Sequence, residues 1–228
     1  MVPDERELLV NRSAGRRRAP ARGSARPLET ARRIPATTSR LCGAKDSTAM
    51  FTVHATRKLL DRVKRRPVEL TPDPTTALGN WYASAIFWRP QVALFVNEHT
   101  LLPVLMPLAP ATTLLDRFPG ALLQVLLAHD VDRDFVAAER AQMDEGVYAR
   151  TASRSLLGIM NEFTHESRLM YQRLGPGGLL RISLELAGTP CTPLSKSHAF
   201  PDLELQASVS QWLGERPRDR RSSPEDPR

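Results

Sequence analysis

The chain has only two cysteines in 228 residues, Cys42 and Cys191, and they lie far apart. That spacing supports neither a disulfide framework nor a clustered zinc site, so a reducing compartment is the expectation. No stretch approaches the roughly eighteen uninterrupted apolar residues of a membrane helix. The most apolar region is broken by Arg89, Asn97, Glu98 and His99 and reads as buried sheet. The N-terminus lacks the apolar core of a secretory signal, and Asp4, Glu5 and Glu7 at its start argue against an organelle transit peptide.

Local signatures of chemistry are missing as well. The sequence contains no P-loop, dinucleotide fingerprint, HExxH, GxSxG or EF-hand pattern. Gly175-Pro176-Gly177-Gly178 follows a helical pattern and terminates it instead of opening a phosphate loop. His129, His165 and His198 lack metal-ligand spacing. No metal and no cofactor are therefore expected, and a site assembled in space is the remaining route to catalysis.

What the chain does have is positive charge at one end. Residues 1–49 hold 11 Lys or Arg against 5 Asp or Glu, whereas the rest holds 21 against 20. Arg16, Arg17, Arg18, Arg22, Arg26, Arg32 and Arg33 stand among Ala, Ser, Pro and Thr, with few side chains able to build a core. A disordered basic extension over residues 1–49 is expected. It is either an incidental tail ahead of a domain starting near Met50 or an arm for nonspecific nucleic-acid binding through Arg16, Arg17, Arg18, Arg32 and Arg33.

The domain is expected over residues 50–213, with 214–228 a charged, proline-containing tail. Its centre is Leu78–Pro107, where two polar breaks, at Arg89–Gln91 and Asn97–Thr100, separate three pieces of strand length. They read as an antiparallel meander. Neither parity of Trp81–Trp88 is polar, so both faces of that strand are expected to be covered. Trp81, Tyr82 and Trp88 are expected in the core, and only exposure would make them a stacking surface for bases or a small aromatic ligand. Pro103 lacks a backbone donor and assigns the third strand to an edge. An uncovered meander edge would favour pairing with a second copy.

Around the meander, Phe51–Ala55 reads as a strand joining the antiparallel sheet. Thr56 reads as the cap of a short helix to about Lys64. Pro119 fits the opening of a leucine-rich helix, and Asp132 the cap of the next, with Gly146 weakening its end. Arg150–Leu174 is the most periodic helix pattern, started by Thr151 or Ser153, with Leu156, Ile159, Met160, Phe163, Met170 and Leu174 on one face. Leu179–Leu186 fits both strand and helix, with the balance toward helix. Leu203–Leu213 adds a last amphipathic piece. The sum is an α+β fold, an antiparallel β-meander packed against several α-helices.

Four stretches carry a resemblance: Phe51–Leu60 (FTVHATRKLL), Leu78–Ala83 (LGNWYA), Leu94–Thr100 (LFVNEHT) and Arg154–Phe163 (RSLLGIMNEF). Together and in this order they resemble an uncharacterised bacterial family of small alpha-plus-beta proteins, over about residues 50–194. The resemblance implies a domain start near Met50 and a bacterial cytoplasmic setting. It assigns no catalytic residue and no activity.

A sound core without concentrated chemistry favours a non-catalytic binding or protein-interaction module, with a protein or a second copy as partner and no membrane contact. Its expected contact residues are Arg57, Lys58, Arg154, Asn161 and His165. One alternative is weak nonspecific nucleic-acid binding through the basic arm, helped by Arg57, Lys58, Arg62, Lys64, Arg65 and Arg66. The other is a small hydrolase or transferase using His165 or Glu162 as its acid–base group, which demands a nucleophile nearby.

Overall fold

The apolar run forms three consecutive strands in the computed structural model, which describes residues 49–69, 73–194 and 197–215. The arginines of the N-terminal extension, Arg16 to Arg33, and the tail from residue 216 lie outside the described residues. Trp81–Ile86 (β2), Val92–Asn97 (β3) and Pro103–Pro107 (β4) pair antiparallel in sequence order. On the other side of β2 lies Met50–Ala55 (β1), and outside β1 lies Glu145–Arg150 (β5). The order is thus β4-β3-β2-β1-β5.

Two features differ from the sequence reading. The N-terminal strand joins β2 in parallel, not antiparallel. The chain between them holds the helix Arg57–Val63 (α1), and residues 56–80 are enough for the crossover that parallel pairing requires. The second difference is β5, a strand where a frayed helix end was expected, paired in parallel with β1 along its whole length. Gly146 is what lets it approach. A Cβ there would lie 2.6 Å from Phe51 Cζ, so the ring fills the space a side chain would need.

The expectation that both faces are covered is met. Phe51, Val53, Trp81, Ala83, Phe95 and Val104 point to one face. They are covered by α1, Leu114–Ala128 (α2), Arg133–Ala141 (α3) and Pro201–Glu215 (α6). Phe118 of α2 is the hub of this layer, with ring centroids 4.2 Å from Phe95, 5.0 Å from Trp81 and 5.8 Å from Phe51. Tyr82, Ile86, Leu94, Val96 and Leu105 point the other way, against Arg154–Leu174 (α4) and Leu179–Ala187 (α5).

Local signals account for most boundaries. Asp132 caps α3, its Oδ1 accepting from the Asp134 and Phe135 amides at 2.8 and 3.2 Å. Ser153 caps α4 through the Leu156 amide, and Gly175 ends it at φ +65°. Pro119 does not open α2 but sits inside it, because the helix begins at Leu114. The buried stripe of α4 ends on Ser167 and Tyr171; Met170 is half-buried and Leu174 exposed.

The outer edge of β4 is closed. Pro103 and Pro107 have no amide hydrogen, and the outward Leu105 amide donates to Ser183 Oγ of α5 at 2.9 Å. On the far side, Val68 bridges to β5, its amide donating to the Tyr148 carbonyl at 2.7 Å.

Where β3 turns into β4, the fully buried Asn97 binds two loops. Its Nδ2 donates to the Leu78 carbonyl at 2.8 Å and the Asn80 carbonyl at 3.3 Å. Its Oδ1 accepts from the His99 amide, the Thr100 amide and the Thr100 hydroxyl at 2.9 to 3.1 Å. Asn97→Ala strands several buried polar groups together, and each group left without a partner costs about 1–3 kcal/mol. Chemical denaturation is expected to show a loss on the order of 3 kcal/mol or more; a loss within the scatter of surface substitutions contradicts the assignment.

Candidate functional site

Because β1, β2 and β5 are parallel, Ala55, Ile86 and Arg150 end on the same side of the sheet. At the end of β1 the Thr56 amide donates to the Ala83 carbonyl at 2.9 Å. The Thr56 hydroxyl does not cap α1; it donates to Ser84 Oγ at 3.1 Å. The seven-residue α1 then carries Arg57 and Lys58 in its first turn. Lys64, at φ 53°, releases the chain. Arg65 and Arg66 follow before Val68 reaches β5.

These moves converge four arginines. Arg57, Arg65, Arg66 and the strand-terminal Arg150 line one open cleft of about 500 Å³, with Asp61 its single carboxylate. Asp61 stands 4.0 Å from Arg57 Nε, and the Arg57 side chain is 96% exposed. An exposed helical pair of that kind is worth only about 0.3–0.5 kcal/mol and leaves the field positive. Arg62, one step further along α1, reaches Gln91 Oε1 in the β2–β3 turn. Arg89 stands in that turn too, exposed.

Below the cleft, His54 stacks on Tyr82 with ring centroids 4.7 Å apart. Its Nδ1 lies 2.9 Å from the Arg150 carbonyl. A carbonyl only accepts, so Nδ1 carries a proton in this contact. His54 thereby fixes the backbone from which Arg150 projects.

The five contact residues expected from the sequence do not form one site. Arg57 lines the cleft and Lys58 is exposed beside it. Arg154, Asn161 and His165 are exposed along α4, and none of the three side chains makes a hydrogen bond or ion pair with another described residue. His165 thus faces solvent without a nucleophile. Burial and the nearby Glu162 and Glu166 push the Cys191 thiol up to about 11, so it is no thiolate near neutrality. Among the described residues no three His, Cys, Asp or Glu side chains gather as metal ligands would.

Sequence reasoning missed Arg150 and His54. The sequence pattern places Arg150 at the start of the helix Arg150–Leu174, whereas it ends β5, and His54 looks like one residue of a strand. The signal available was the run Arg62 to Arg66, whose convergence with Arg150 depends on the β5 pairing. Trp81 and Tyr82 are buried, as expected of core aromatics, whereas Trp88 is only half-buried and its neighbour Phe87 is 57% exposed.

Residues 52–204 match the family model described as a domain of unknown function, DUF6933. No curated protein and no solved structure matches the chain.

At the opposite end of the parallel strands the chemistry is buried. Glu139 of α3 is 2% exposed, and its Oε2 accepts from the Ala77 and Leu78 amides at 2.8 and 3.3 Å, while Oε1 has no partner. Burial outweighs the two amides and raises its pKa from 4.5 to about 7. Between those values the folded chain binds more protons at this group than the unfolded chain, so its contribution to stability is full below pH 4.5 and is lost as pH rises through about 7. The slope is up to about 1.4 kcal/mol per pH unit. Denaturation from pH 4.5 to 8 is expected to show wild type losing stability relative to Glu139→Gln as pH rises; two parallel profiles would refute the buried acid.

Proposed function

The chain belongs to the family of domains of unknown function designated DUF6933, which brings no activity with it, and we propose that it is a non-catalytic binding module for a phosphate-bearing partner, nucleic acid above all. The observation that carries this reading is the arginine cleft. Four guanidinium groups share one open surface with a single, loosely paired carboxylate. Guanidinium is always charged and its planar fork suits phosphate oxygens. The cleft also lies outside the carboxyl ends of parallel strands, where sheets with helices on both faces commonly receive ligands.

The reading gives the sheet an electrostatic direction that overall composition hides. From Met50 onward the charges nearly cancel, yet Arg57, Lys58, Arg65, Arg66, Arg89 and Arg150 gather at one end. The arginines of the N-terminal extension add positive charge to the same chain. The setting we propose is a bacterial cytoplasm. Supporting it are the buried, free Cys191 and the family resemblance of the four sequence stretches. No helix among the described residues is long and apolar enough to cross a membrane.

The test is titration of a labelled oligonucleotide with the full-length protein across salt concentrations. Arg65→Ala with Arg66→Ala is expected to weaken binding and to flatten the salt dependence, by about 0.7 in log–log slope for each single-strand phosphate the variant no longer neutralises. Unchanged affinity and slope would sink the cleft. A loss of binding confined to a variant in which Arg16, Arg17, Arg18, Arg32 and Arg33 become alanine would move the function to the arm.

A further inference from the structure

A second cleft lies where the β2–β3 turn meets the far end of α4. Trp88 of that turn stacks on Tyr171 of α4, with ring centroids 4.4 Å apart and planes inclined by 27°. The Tyr171 hydroxyl donates to the Pro90 carbonyl at 3.0 Å and fastens the turn to the helix. Beside this pair, Arg89, Arg168 and Gln172 line an open cleft of about 380 Å³, closed below by Gly175 and Pro176. Arg89 and Arg168 are exposed, and neither side chain has an ion pair or a hydrogen bond with another described residue. No carboxylate lines the cleft.

Core packing explains part of this arrangement, since Trp88 lies against the second apolar layer. It does not explain why two unneutralised cations and a side-chain amide flank an aromatic pair, nor why Phe87 next to it stands largely in solvent. Aromatic faces with adjacent guanidinium groups are what single-stranded nucleic acid uses: bases stack on rings, and arginines meet the backbone. A duplex keeps its bases stacked on one another and offers no free face. The cleft is also of a size for a small flat ligand.

We propose that the Trp88–Tyr171 cleft is a base-stacking subsite for single-stranded nucleic acid, with Arg89 and Arg168 on the flanking phosphates. The inference rests on the phosphate-binding reading and narrows it. The two clefts are physically tied: α1 lines the arginine cleft, and its Arg62 holds Gln91 in the turn that bears Trp88 and Arg89. A strand engaged at both passes over the end of the sheet, from the α1 side to the α4 side. The turn between β2 and β3 is its crossing point.

Trp88 supplies its own reporter, because Trp81 is fully buried and Trp212 packs edge-on against Phe135 in the other helical layer. Full-length protein is titrated with an oligothymidylate, with an abasic deoxyribose-phosphate strand of equal length, with a duplex and with thymidine monophosphate, following tryptophan emission and the anisotropy of labelled strands. The oligothymidylate is expected to quench emission and to bind more tightly than the abasic strand. Trp88→Ala is expected to weaken it about tenfold, with Trp88→Phe retaining most of the affinity. Arg168→Ala, at an exposed position outside the core, weakens it without threatening the fold. Equal binding of oligothymidylate and abasic strand, or Trp88→Ala and Arg168→Ala both at wild-type affinity with wild-type emission unquenched, removes the stacking subsite while leaving the arginine cleft. Preference for the duplex, or a monophosphate binding as tightly as the strand, overturns the single-stranded occupant. Absence of binding to every phosphate-bearing probe overturns this inference and the broader reading together.

Discussion

Asn97 is the constraint on which the arrangement of the sheet depends. Its amide closes the β3–β4 turn through Oδ1 and, through Nδ2, holds the loop that delivers the chain into β2. From the other side Glu139 receives the Ala77 and Leu78 amides of the same loop. Two buried polar groups, one from the sheet and one from α3, thus define where β2 begins. That start sets which residues of β2 face each apolar layer, since a slip of one residue would reverse every side chain. A buried, satisfied amide specifies an arrangement more sharply than apolar packing can, because its alternatives leave unpaired groups in a dry interior.

From that fixed start the two ends of the parallel strands take different tasks. The amino end is largely buried, and Asn97, Thr100 and Glu139 Oε2 bond one another and the backbone there, with Glu139 Oε1 left without a partner. The carboxyl end is wet, and its cations have few protein partners. Thr56 and Ser84 bond to each other, and His54 directs its N–H to the Arg150 carbonyl. The guanidinium groups beyond them remain mostly unanswered. The same separation appears at the β2–β3 turn, where Tyr171 secures the backbone while Arg89 stays free of protein partners among the described residues.

The legible parts of the fold were those written in neighbouring residues. The meander showed in its two polar breaks, the edge position of β4 in Pro103, the caps in Asp132 and Ser153, and the helix Leu179–Ala187 in its helix-forming composition. The features that escaped depend on distant partners. The parallel entry of β1 is decided by a crossover, not by anything within Phe51–Ala55. β5 has only a short apolar centre between Glu145, Gly146 and Arg150, and it makes sense as a strand only beside Phe51. Thr56 has a capping side chain, but Ser84 offers it another bond. The arginine cleft was half visible, as Arg57 with Arg65 and Arg66, and its completion by Arg150 required knowledge of β5. Grouping Arg154, Asn161 and His165 with Arg57 followed residue type, whereas the three stand on α4 and Arg57 on α1.

The closed edge of β4 reaches beyond the stability of one molecule. Pro103 and Pro107 withhold the hydrogens that an incoming strand would need, and Ser183 occupies the one between them. A sheet this rich in Val, Leu, Phe and Ala would otherwise template its own growth, copy upon copy, into ordered aggregates. With that route blocked at β4, crowding many copies together need not seed a fibre from this edge.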